Sequence, residues 1–90
     1  MKLIISGGRD YRLRVLDYKK LQNKFFHLIE EVVVGDATGV DHDIRAWAVF
    51  YEFHIRVFKA DWKKHGKSAG PRRNADMAKY GDAVVLFPGG

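Results

Sequence analysis

The chain has 90 residues, no cysteine, 30% charged residues and a formal net charge of +5. That length makes one small domain, residues 1–90. The lack of cysteine excludes disulfides and thiolate metal sites, and no apolar run approaches the ~20 residues a membrane-spanning helix needs. The start, MKLIISGGRD, has three apolar residues before its glycines, too few for a signal peptide, so a cytoplasmic protein with no membrane partner is expected.

Residues 2–6, KLIIS, read as a short strand that ends in Gly7 and Gly8. Residues 15–30 place Val15, Tyr18, Leu21, Phe25, Leu28 and Ile29 at the three-and-four spacing of one helix face. EVVVG, residues 31–35, is a β-branched run ending in glycine. Val40, Ile44, Trp47, Ala48 and Tyr51 mark a second helix face, and HIRVF, residues 54–58, a third strand. A loop follows. Gly70-Pro71 then opens a helix of about ten residues, since proline is tolerated in a first turn. DAVVLF, residues 82–87, is the fourth strand.

The order β-α-β-α-β-loop-α-β implies right-handed crossovers and an α/β fold. The expected architecture is a small Rossmann-like parallel sheet of four strands, order 3-2-1-4, with helices on both faces. Strands 2 and 4 lack polar alternation, so both should be covered on both faces. Phe26, Phe50 and Phe53 fall off the helix stripes; a homodimer, the expected oligomer, would cover them.

Ligands of open parallel sheets bind beyond the carboxyl ends of the strands. Three strands end there in glycine-bearing segments: ISGGRDY, VVVGDATGVD and LFPGG. The expected pocket therefore has walls at Gly7, Gly8, Arg9 and Asp10, at Gly35, Asp36, Thr38, Gly39 and Asp41, and at Gly89 and Gly90. Arg72 and Arg73 follow Pro71 in the first helical turn, where cations oppose the helix dipole unless an anion binds there too. Asn74 would bond a base, a sugar or the loop itself, and Trp62 would stack on a base or serve as a hydrophobic plug of its loop. Asp36 or Asp41 would accept from ribose hydroxyls while phosphates bind on the arginine side. Acidic and basic walls together suit a nucleotide better than a bare phosphate.

The charge is unevenly placed. Residues 59–73, KADWKKHGKSAGPRR, carry six cations and one acid, so the rest of the chain is neutral. This block makes a nucleic acid the second candidate partner. Other motifs fail. No G-x-G-x-x-G follows the first strand, and Asp61 stands where HGKS would need the first glycine of a P-loop. The histidines, at 27, 42, 54 and 65, have no metal spacing, so neither metal nor cofactor is expected. No catalytic residue is identifiable; a pocket carboxylate activating water for N-glycosidic cleavage is one option among the acids named.

ISGGRDY, GDATGVD…AWA, ADWKKHGKSAGPRRNADM and LFPGG resemble, in order and spacing, the small YspA-like (cpYpsA-related) branch of the SLOG superfamily. That superfamily includes the LOG phosphoribohydrolases and the DprA/Smf DNA-processing proteins. The resemblance runs over nearly the whole chain, with AGPRRN followed by Met its most specific tract. It implies a Rossmann-like fold binding a nucleotide or nucleotide-derived ligand at Gly7, Gly8, Arg9, Gly35, Gly39, Asp41, Arg72, Asn74, Gly89 and Gly90. Members continue past the last glycines with a Gly-Thr step, a helix and a strand, and LOG enzymes carry a catalytic Glu there; this sequence stops first. Asp36 replaces a frequent glycine and Val40 a frequent alanine. Ligand binding or sequestration is therefore expected ahead of hydrolysis. The alternatives are a dimerisation or partner-binding remnant of the fold and DprA-like binding of single-stranded nucleic acid through residues 59–73.

Overall fold

The structure, a computed structural model, describes residues 1–89; the expected site residue Gly90 lies outside the described residues. Four strands, β1 (Lys2–Ser6), β2 (Glu31–Gly35), β3 (His54–Phe58) and β4 (Ala83–Leu86), form one all-parallel sheet in the order β3-β2-β1-β4. The register sets Ile4 beside Val33 on one side and Val84 on the other. β1 and β2 are central, and their β-branched and aliphatic runs bury side chains on both faces, as parallel strands under helices do.

Helices α1 (Val15–Phe25) and α2 (Val40–Phe50) cross on one face and α4 (Ala69–Tyr80) on the other. This follows from handedness. The chain moves one way along the sheet through β1, β2 and β3, then returns to β4, so the last right-handed crossover falls on the opposite face. The larger core joins Leu3, Ile5, Val32 and Val34 to Leu21 of α1 and to Val40, Ile44, Trp47 and Ala48 of α2. The smaller one joins Ile4 and Val33 to Met77, with Phe58 and Tyr80 beside them.

Two side chains lock the chain between β1 and α1. Asp17 accepts from the Arg14 amide at 2.9 Å and the Tyr11 hydroxyl at 2.8 Å. The backbone hydrogen bond is the main reason its pKa lies below the ordinary aspartate value. Asp43 of α2 accepts from Arg12 Nη2 at 2.7 Å and from the Leu13 amide at 3.0 Å. Its pKa is also lowered, first by the Arg12 side chain.

Four expectations are corrected. The first helix stops at Phe25 and passes into a 3₁₀ turn, Phe26–Leu28, whose tighter winding takes Leu28 off the stripe; Val15 and Leu28 are exposed. Phe26 and Phe53 are half-buried rather than exposed, meeting each other and Trp47 in an aromatic cluster, whereas Phe50 is 74% exposed. β4 is not covered on both faces: α4 lies over β1, β2 and β3, leaving Val84 and Leu86 open. Finally, the segment read as a loop contains a short helix α3 (Trp62–His65) and a 3₁₀ turn (Gly66–Ser68) that runs straight into α4. Among the described residues no helix is long and apolar enough to cross a membrane.

Candidate functional site

The carboxyl edge of the sheet is built by loops that hold one another. The Phe87 amide donates to the Ser6 carbonyl at 2.8 Å and the Gly8 amide to Pro88 at 2.9 Å, joining the turns after β1 and β4. The Gly8 carbonyl accepts from the amides of Tyr11 and Val40. That second bond draws the start of α2 against the first loop, and the Thr38 hydroxyl donates to the Arg9 carbonyl at 3.3 Å. Gly39 is the hinge of this approach. Its φ is +69°, and a Cβ there would lie 2.4 Å from the Arg9 carbonyl oxygen, so only glycine fits.

Two adjoining clefts open over this edge. The first, of 260 Å³, is lined by Gly7, Gly8, Arg9, Asp10 and Gly89, together with Ser6, Tyr11, Ala37, Asp41, Arg73 and Asn74. The second, of 450 Å³, is lined by Arg9, Asp36, Ala37, Thr38 and Trp62, with Gly70, Pro71, Arg73 and Asn74. They share Arg9, Ala37, Arg73 and Asn74, and their size suits parts of one small molecule. The loops after β1, β2 and β4 thus meet the start of α4 where the chain reverses its travel along the sheet.

Most of the expected site residues therefore come together. Gly35 and Gly39 lie beneath the clefts rather than lining them. Trp62 is 51% exposed at the rim of the larger cleft, with its ring against Gly70. Arg72 lines neither cleft; its Nε donates to Ser68 Oγ at 3.2 Å, back along its own helix. The two arginines are also not in the first turn, because α4 begins at Ala69, and the Ala69 amide already donates to Gly66. The expected anion cradle of free amides between Arg72 and Arg73 is absent for that reason.

The acidic and basic walls do not stand apart either. Arg73 Nη1 donates to Asp36 Oδ1 at 2.8 Å, and its Nε to Asn74 Oδ1 at 3.1 Å. Gly35 makes room for this guanidinium: a Cβ there would sit 2.9 Å from Arg73 Nη1 and 2.7 Å from Asp41 Oδ2.

Asp41 lies at the floor of the smaller cleft and is only 4% exposed. Its Oδ2 accepts from the Ala37 amide at 3.1 Å. Its Oδ1 is buried with no hydrogen-bond partner among the described residues. Burial pushes the Asp41 carboxyl above the ordinary aspartate range; the Ala37 hydrogen bond and the charges of Arg73 and Arg45 oppose that rise. A buried carboxylate oxygen without a donor is costly, and such a group in a native protein calls for an explanation, of which a functional role is one.

Sequence reasoning missed Arg45, Tyr11 and Ala37. Arg45 Nη1 donates to the Gly35 carbonyl at 3.2 Å. Its signal was available, since it lies one helical turn beyond Asp41 and shares its face. Ala37 contributes through its backbone, which no residue type announces.

Fold and site together define a Rossmann-like α/β domain with a polar cleft at the carboxyl edge of its sheet. The chain is similar to the Gene 61 protein of Mycobacterium phage D29, with 33% identity over 95 residues covering 97% of this chain and 76% of the phage protein. It belongs to the family of that phage protein. No family model matches the chain, and no solved structure does.

Proposed function

We propose that this protein binds a nucleotide or nucleotide-derived small molecule across the two clefts, with hydroxyl groups of the ligand donating to Asp41. The observation that carries this reading is Asp41 itself: a carboxylate 4% exposed, at the floor of a cleft, with one oxygen unpartnered. A sugar hydroxyl is a neutral donor of the right kind, and it removes the cost of that oxygen without adding charge. Trp62, half-exposed at the rim, offers a face for a planar base. The resemblance to the SLOG superfamily supports the same reading and a cytoplasmic setting. Asp41, rather than Asp36, is the hydroxyl acceptor, because Asp36 is held by Arg73.

The test is thermal unfolding against a panel of nucleosides, nucleotides and ADP-ribose. A ligand that binds only the folded chain, at a hundred times its Kd, adds about 2.7 kcal/mol of stability. At least one panel member is expected to raise the Tm of the wild type, and Asp41→Asn to weaken its binding about tenfold or more. A flat response across the panel refutes the reading. Product analysis of the same mixtures reads out N-glycosidic cleavage.

A second reading has one observation behind it. Lys59, Lys63, Lys64 and Lys67 are all exposed on the segment that carries Trp62. Single-stranded nucleic acid along this rim would be held by phosphate contacts, with affinity falling steeply as salt rises. A binding constant unchanged between 50 and about 200 mM salt would exclude it.

A further inference from the structure

Arg73 stands beside Asp41 over Gly35, and two of its three guanidinium nitrogens are already engaged. Its Nη1 is held by Asp36 and its Nε by Asn74, and its side chain is 12% exposed. Opening a part-buried pair of this kind leaves a guanidinium with no partner in a poorly solvated place. The formal charges lining the clefts also sum to −1, with Arg9 and Arg73 against Asp10, Asp36 and Asp41. A dianion entering beside Arg73 would meet no net attraction and would face the Asp36 carboxylate at close range. One amide at each nearby helix start is engaged as well. The Val40 amide at the start of α2 donates to the Gly8 carbonyl, and the Ala69 amide at the start of α4 donates to Gly66. The unpartnered group is an acceptor, the buried Asp41 Oδ1, which calls for a donor and not for an anion.

We propose that Asp36 sets the ligand class of this cleft: by holding Arg73 it excludes phosphate from the inner site and reserves it for an uncharged, hydroxyl-bearing ligand of the nucleoside type. This rests on the ligand-binding reading given above and narrows it. Asp36 is then a specificity residue that acts through Arg73, and any phosphate on a larger ligand lies outside the Arg73 subsite.

The test compares adenosine, AMP and inorganic phosphate on the full chain, as wild type, Asp36→Asn and Asp36→Ala. The alanine variant is needed because an asparagine carbonyl can still hold Arg73. Calorimetry gives affinities, and the Nε–Hε NMR resonance of Arg73 reports what occupies its guanidinium. In the wild type, adenosine is expected to bind about tenfold or more tightly than AMP, and millimolar phosphate to leave the Arg73 resonance unmoved. In Asp36→Ala the ratio of AMP to adenosine affinity should rise about tenfold or more, and phosphate should now shift Arg73. Preference of the wild type for AMP, a phosphate-dependent shift of Arg73 in the wild type, or an unchanged ratio in Asp36→Ala would each overturn the proposal. If neither adenosine nor AMP binds any of the proteins, the ligand-binding reading and the nucleoside class fall together, while the phosphate arm still upholds or refutes exclusion by Asp36.

Discussion

Asp41 joins a thermodynamic cost to the binding role proposed for it, and the two can be separated by one atom. Its pKa is raised by burial, so the folded state holds the Asp41 proton more tightly than the unfolded chain does. The sign follows: Asp41 costs nothing below the unfolded pKa of about 3.9. The cost grows as pH rises through the folded value and is constant above it. Asn in its place keeps an acceptor for the Ala37 amide and removes the charge. Asp41→Asn is therefore expected to melt higher than the wild type at pH 7, with the gain shrinking as pH falls toward 4, while the stabilisation by the proposed ligand is reduced. Thermal unfolding at both pH values checks this; a variant less stable than the wild type at pH 7 would contradict it. Gly39→Ala tests the hinge beside it. A non-glycine residue at φ +69° with a carbonyl oxygen 2.4 Å from its Cβ should cost about 1–3 kcal/mol or more, measured by urea unfolding.

At the scale of elements, α2 carries both the core and the site. Val40, Ile44, Trp47 and Ala48 seat it on the sheet, and Asp41, Asp43 and Arg45, on the same few turns, fix the loops after β1 and β2. Ile44 is fully buried in the larger core, so Ile44→Ala should cost about 2–5 kcal/mol of stability by denaturant unfolding, with ligand affinity following the folded fraction. The strands β1, β2 and β3 are legible to the residue: β1 and β2 are aliphatic runs that end at glycine, and β3 is a short β-branched run just past the second helix stripe. The start of α4 is less so: the Gly-Pro signal predicts the opening of the helix, yet the helix begins one residue before that glycine, directly from a 3₁₀ turn. Shifting that start moved Arg72 and Arg73 out of the first turn and removed the amide cradle they were expected to flank. The Arg73–Asp36 pair spans 37 residues of sequence. Only the sheet order brings them together, and no local pattern marks it, although each is a site candidate by itself, Asp36 from its glycine loop and Arg73 from the helix start after Pro71.

For the molecule as a whole, the two depressed carboxylates set the acid limit. Asp17 and Asp43 have folded pKa values below their unfolded ones. Their stabilisation is complete above about pH 4 and is lost as pH falls through the folded values. The urea midpoint should drop as pH falls below about 4, and Asp43→Asn, which releases Arg12 and weakens the hold on Leu13, should lower the midpoint at pH 7 and flatten that acid slope. An acid slope identical to the wild type would remove Asp43 from this role.

The face left open on β4 has a consequence for solution behaviour. Ala83 to Phe87 contain no charge, β4 is bonded to a neighbour only through β1, and Val84 and Leu86 are 55% and 67% exposed. Natural outer strands are guarded by lysine, proline or a bulge, and this one has no such gatekeeper along its length. As it stands, the rim of the sheet is sticky along both its main chain and its side chains, so clumping should grow with protein concentration. A single Val84→Lys change should suppress it in light scattering and leave the melting temperature nearly unmoved.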